Sequence, residues 1–149
     1  MFKKLLLFPI FFFFSFDSLM AFNTPPEPPK PPTVVELIEQ YSEEYEVPYR
    51  LAYELAKFES RLSPMAVNPT TGAGGLFQWL ASSWKIQCEP KYEDRFDAVE
   101  NMACALDVIS KSKYGIRHWT ADLKVRRMLV NAGFVICYEG KNNCELKKY

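Results

Sequence analysis

The chain is short of several things that enzymes and binding proteins commonly rely on. Lysine and arginine number 18 and are matched by 18 acidic residues, so nothing in the bulk charge favours a nonspecific grip on nucleic acid or an anionic membrane. There is one histidine, His118, and no Cys-x-x-Cys, which leaves zinc without its usual ligand spacing. No phosphate-binding glycine loop and no Ser/His/Asp pattern occurs, so nucleotide and serine-nucleophile mechanisms lack their parts. No cofactor is implied. No period-2 alternation is sustained anywhere and no repeat appears, so a large sheet is not expected. What the chain does have is concentrated: seven of its twelve phenylalanines lie within residues 1–21, and six of its eleven prolines within residues 25–32.

The phenylalanine-rich end carries two lysines in Met1–Lys4 and a run over Leu5–Phe16 that is apolar apart from Pro9 and Ser15. Leu19-Met20-Ala21 then offers a cleavage region. Asp17, Ser15 and Ser18 interrupt the apolar stretch before it reaches the roughly 20 residues of a spanning helix. Residues 1–21 therefore read as a secretory signal or an uncleaved N-terminal anchor, and both export the domain to a periplasmic or extracellular space. Only the anchor would bring a membrane contact. Residues 22–32 form a proline-rich linker, an extended polyproline spacer of about 3 Å per residue or a ligand for a proline-binding module. The remaining 117 residues, 33–149, suit one domain with one modest core.

All four cysteines, Cys88, Cys104, Cys137 and Cys144, fall in that domain. An even count in an exported chain favours disulfides. Of the three possible pairings, Cys88 with Cys104 and Cys137 with Cys144 close the shortest loops and are favoured.

The domain reads as all-α. Thr33 and Glu36 form a capping box before a helix to about Glu44. A second helix starts near Pro48 and aligns Leu51, Leu55, Phe58 and Leu62. Pro64, Pro69, Gly72, Gly74 and Gly75 force an irregular connection, followed by a short helix around Ala81–Ile86. Asp97 with Glu100 predicts another capping box, opening a helix to about Lys111 that is apolar on two faces and hence central. Gly115 ends it, and Ala121, Val125, Met128, Leu129 and Ala132 mark a last amphipathic helix. Charge is uneven: residues 27–59 hold eight acids and three bases, residues 111–149 nine bases and three acids. The basic end reads either as solvated helix faces or as a contact for an anionic polymer.

With the other mechanisms lacking their parts, a carboxylate is the remaining candidate for chemistry. Glu59 lies beside Ala52 and Ala56 at the edge of the apolar stripe, in the last turn of its helix. Semi-burial and the negative end of the helix dipole both raise a carboxyl pKa, which suits an acid that must keep its proton near neutral pH.

Three ordered segments resemble the motifs of the soluble lytic transglycosylase family: Glu59-Ser60-Arg61-Leu62-Ser63-Pro64-Met65-Ala66-Val67-Asn68, Gly72-Ala73-Gly74-Gly75-Leu76-Phe77-Gln78, and Ala98-Val99-Glu100-Asn101-Met102. The similarity spans about residues 34–119. It implies a lysozyme-like, goose-type all-α domain with an irregular loop or small β-like segment beside the cleft. It also implies that Glu59 is the single acid/base cleaving peptidoglycan between N-acetylmuramic acid and N-acetylglucosamine, with formation of a 1,6-anhydro ring. A hydrolytic muramidase and a noncatalytic wall-binding or secretion-accessory module are the alternatives. Peptidoglycan strands are the implied partner, with a secretion or division apparatus as a further one.

Ser60, Asn68, Gly75, Gln78, Asn101 and Trp119 are the corresponding candidates for substrate binding. Glycines allow close backbone approach, and the Gln78 amide both donates and accepts. Ser60 orients Glu59 or caps its helix; Asn101 supports the site or meets the sugar. Two departures stand out. Val130-Asn131-Ala132-Gly133 replaces the family's Tyr-Asn-Ala-Gly, leaving Tyr114 as a candidate for the late tyrosine, and residues 120–149 read as a basic extension accessory to the fold.

Overall fold

The structure, a computed structural model, describes residue 27, residues 29–138 and residues 143–147. The proposed signal at residues 1–21 lies outside them. The chain separates into residues 1–30 and a unit over Pro31–Tyr149, which carries every element described below. Among the described residues, no helix is long and apolar enough to cross a membrane.

Among the described residues, six helices and one two-stranded sheet follow in order: α1 Val34–Glu44, α2 Tyr49–Ser60, α3 Ala81–Gln87, α4 Ala98–Lys111, α5 Arg117–Thr120, α6 Leu123–Asn131, β1 Val135–Cys137 and β2 Cys144–Leu146. The domain is all-α apart from this small sheet. α1 opens with the expected capping box, Thr33 Oγ1 accepting from Glu36 N–H while the Glu36 carboxylate accepts from Thr33 N–H at 2.6 Å. α2 stops at Ser60 because Arg61 and then Leu62 take left-handed conformations, φ 55° and 64°. That early stop removes Leu62 from the helix, and Phe58 turns outward with 45% exposure instead of joining Leu51 and Leu55 in the core.

α4 is central, as its two apolar faces require. Met102, Cys104, Ala105, Leu106 and Ile109 are all buried along it. Its start differs from a capping box in one respect. Asp97 accepts from Val99 and Glu100 N–H, but the Glu100 carboxylate reaches further back and accepts from Glu93 N–H at 2.9 Å and Asp94 N–H at 2.6 Å. Glu100 thus fastens the preceding loop by pairing the Glu93 and Asp94 backbone donors, and leaves Asp97 N–H to Asp94 O.

α1 packs on both α2 and α4, and α2 also meets α6. α6 begins at Leu123 under an Asp122 cap, later than its apolar pattern suggests, so Ala121 is exposed between α5 and α6. The described part of residues 120–149 is integral to the core rather than accessory to it. Val125, Leu129, Phe134 and Val135 join the same core cluster as Leu51 and Leu106.

β1 and β2 pair antiparallel with Cys137 opposite Cys144. Both disulfides have the expected partners, Cys88–Cys104 and Cys137–Cys144. Loops of 16 and 7 residues correspond to stabilisations of about 3 and about 2 kcal/mol through the unfolded chain.

Candidate active site

Two segments build the site: the last turn of α2, which carries Glu59, and the loop over residues 66–79, which carries Gln78. A series of backbone bonds joins them. Ser63 N–H donates to Ser60 O at 3.1 Å and Ala66 N–H to Ser63 O at 3.2 Å. Ala66 O then receives both Gly75 N–H at 3.0 Å and Gln78 Nε2 at 3.1 Å. The residue after Glu59 is therefore three hydrogen-bonded steps from Gln78.

The loop is a compact, β-like turn. Val67 and Trp79 each bridge antiparallel to Gly74. Gly75 has φ 82°, and a Cβ there would run into Asn101 Nδ2 and Arg95 O, so only glycine fits. Asn101, fully buried on α4, clamps the loop from beneath: its Oδ1 accepts from Phe77 N–H at 2.8 Å, and its Nδ2 donates to Arg95 O at 2.6 Å and Gly74 O at 3.4 Å. Arg95 grips the loop rim, its guanidinium donating to Gly72 O and Trp79 O. Trp119 is 5% exposed and donates from Nε1 to Phe77 O at 2.8 Å, edge-on to Phe77 and Trp79. It props the loop from within the core and offers no open face for a sugar. Trp79 and Trp84 are buried in the same cluster.

Gln78 sits at φ 51° with its amide nitrogen spent on Ala66 O and Gly75 O, and its Oε1 has no partner among the described residues. Asn68 is exposed and folds its own turn, Oδ1 accepting from Thr70 and Thr71 N–H. Ser60 is buried and donates to Ala56 O at 2.9 Å, a bond inside α2 that neither orients Glu59 nor caps the helix.

Glu59 itself is only partly exposed and has neither hydrogen bond nor ion pair among the described residues. Ala56 and Ala52, one and two turns earlier on its face, are fully buried. Burial, and secondarily the negative charge of Asp122, push the Glu59 carboxyl up to about 7. Such a group holds a proton at neutral pH and releases it readily, so the arrangement is suited to donating and then accepting one proton.

Sequence reasoning missed Arg95 and Asp122. Nothing local marks Arg95, whereas Asp122 ahead of an apolar-periodic stretch has the form of a helix cap. His118 packs against Trp79 and Trp119, and burial pushes its pKa down, which keeps it neutral. Tyr114 lies exposed under the Arg117 guanidinium, in no described contact with Glu59 or the loop, and Val130 is exposed on α6. A cavity of about 350 Å³ between Val47, Leu51, Ile109 and Leu146, with Glu46, Lys113 and Lys147 also lining it, does not include Glu59.

No curated protein and no solved structure matches the chain. The family model described as Transglycosylase SLT domain does match it, over residues 36–124, a span that contains Glu59, the whole loop and Asn101. That span is more than half of the chain and includes each part of the site just described, so the protein belongs to the transglycosylase SLT family.

Proposed function

We propose that the protein is an exported peptidoglycan lytic transglycosylase with Glu59 as its single acid/base. The observation that carries this reading is a carboxyl held near pH 7 at the end of α2, one short bonded path from the Gly-Leu-x-Gln loop. Membership of a family of transglycosylases supports peptidoglycan as the substrate.

In the proposed reaction Glu59 gives its proton to the oxygen bridging N-acetylmuramic acid and N-acetylglucosamine, and the bond from that oxygen to the muramyl anomeric carbon breaks. The carboxylate so formed takes the proton of the muramyl 6-hydroxyl, whose oxygen bonds to the anomeric carbon. Glu59 ends the cycle protonated, as it began. A pKa near neutrality serves both halves, because neither the loss nor the recovery of the proton is steeply uphill. No water and no second catalytic carboxylate are needed, in contrast to two-carboxylate glycosidases. Asp122, the nearest acidic influence, is occupied in capping α6. In this reading Gln78 Oε1 accepts from an acetamido N–H and Asn68 meets the strand at the loop rim.

Digestion of purified sacculi, read by mass, tests the reading. The expected fragments are lighter by one water than hydrolytic products and are absent with Glu59→Gln. Hydrated ends would make the protein a muramidase, and wild-type protein that binds but releases nothing would make it a wall-binding module.

A further inference from the structure

Asp122 has a role that its position as a cap does not exhaust. Its Oδ1 accepts from Lys124 N–H at 2.6 Å and Val125 N–H at 3.3 Å, which fixes the carboxylate at the start of α6. α6 packs against α2, and at one end of the pair the Arg50 guanidinium, near the start of α2, lies 5.9 Å from the Phe134 ring, just past the end of α6. The C-terminal side of α6 thus lies by the start of α2, which directs the start of α6, with Asp122, toward the last turn of α2. Two helix termini of opposite partial charge meet there, the negative end of α2 and the positive end of α6. An uncharged cap such as serine would satisfy the same two N–H groups. It would also leave the positive end of α6 facing Glu59 and favour the carboxylate.

We propose that Asp122 is a positioning residue for the proton on Glu59: its fixed negative charge masks the positive end of α6 and opposes a second negative charge at the end of α2. The proposal deepens the reading of Glu59 as the acid and rests on it for its catalytic consequence. After burial, Asp122 is the influence that raises Glu59 to about 7.

The other charged groups around the pair are otherwise engaged or turned outward. On α2, Lys57 lies over the Tyr53 ring, Arg50 over Phe134, and Arg61 is exposed at the C-cap; Glu54 is partly exposed. On α6, Arg126 donates to Thr120 O, while Lys124 and Arg127 are exposed. On α1, Glu36 is spent on the Thr33 cap, and Glu39, Glu43 and Glu44 are exposed. His118 is held neutral between tryptophans. None of them joins Asp122 in acting on Glu59.

Asp122→Asn keeps an acceptor for the α6 donors and removes the charge, so the helix should form as before. The test follows side-chain carboxyl carbons of the full chain by NMR across pH, with Glu59 assigned by difference against Glu59→Gln. Asp122→Asn should lower the Glu59 midpoint by about half to one pH unit, the size of a single charge acting across several ångströms at a protein surface. The alkaline limit of sacculus digestion should move down by the same amount. A folded Asp122→Asn whose Glu59 midpoint is unchanged overturns the proposal. So does a midpoint that falls only in Asp122→Ala, because loss of the cap, not loss of charge, would then be responsible. Because the titration needs no turnover, a shifted midpoint in a protein that releases nothing from sacculi would uphold the proposal and refute the proposed reaction instead.

Discussion

Asn101 and Glu59 are both polar side chains set on helices against the core, and they are treated in opposite ways. Asn101 is fully buried, and both ends of its amide are paired, two hydrogen bonds going to the loop over residues 66–79 and a third to Arg95 O. Glu59 is half-buried and has no bonded partner among the described residues. A buried amide without partners would cost free energy with no return, so its complete pairing marks Asn101 as structural. A carboxyl left unpaired instead keeps its proton, which is the state an acid catalyst needs. The region under the loop is rigidly paired, whereas the end of α2 holds a carboxyl with no bonded partner among the described residues.

The contrast is tested most severely by exchanging each polar group for a near-isostere. Glu59→Gln should reduce release from sacculi by about 100- to 10,000-fold, the usual worth of a positioned acid, with the circular dichroism spectrum unchanged. Asn101→Leu should act on the other observable. It strands Phe77 N–H and Arg95 O in the core, costing about 3 to 5 kcal/mol and lowering Tm by about 10 °C or more in a thermal melt.

Next in size is a pH-dependent gain. Glu59 titrates near 7 when folded and near 4.5 when unfolded, so between those values the folded state binds the extra proton and stability falls as pH rises. Glu59→Gln should therefore be more stable than wild type at pH 8, by about 1 to 3 kcal/mol in urea, and gain nothing at pH 4. Equal stability at both values would mean that burial imposes no cost on the carboxylate.

Two glycines sharpen the rigid side of the contrast. Gly75→Ala meets both a positive φ and the Asn101 amide and should cost about 3 kcal/mol, whereas Gly72→Ala meets only φ 71° in open space and should cost about 1 kcal/mol. Of similar size is Trp119→Phe, which removes one hydrogen bond to Phe77 O and part of a buried ring, about 1 to 2 kcal/mol, while leaving the products of digestion unchanged.

Much of the framework was legible in the residue order. Thr33 and Asp97 announced two helix starts because a cap is a local bond between residues two or three apart. The two apolar faces of α4 announced its central place, and the cysteine spacing announced both bridges. Glu59 stood out because the residues one and two turns back on its face, Ala56 and Ala52, are alanines. Other features depended on residues far apart in the chain. Glu100 looked like a cap partner but is taken by Glu93 and Asp94. Trp119 looked available to a sugar but is committed to Phe77, 42 positions away. The hairpin of β1 and β2 was hidden because three-residue strands show no alternation.

The order of residues by itself determined which groups the protein has to work with: a chain of helices, one acid at an apolar boundary and no metal or nucleophile motif to compete with it. Tertiary structure decided what that acid is. Its proton affinity depends on water excluded by α2's packing and on the field of Asp122, 63 positions later, and neither solvent exposure nor a through-space charge can be read from neighbours along the chain.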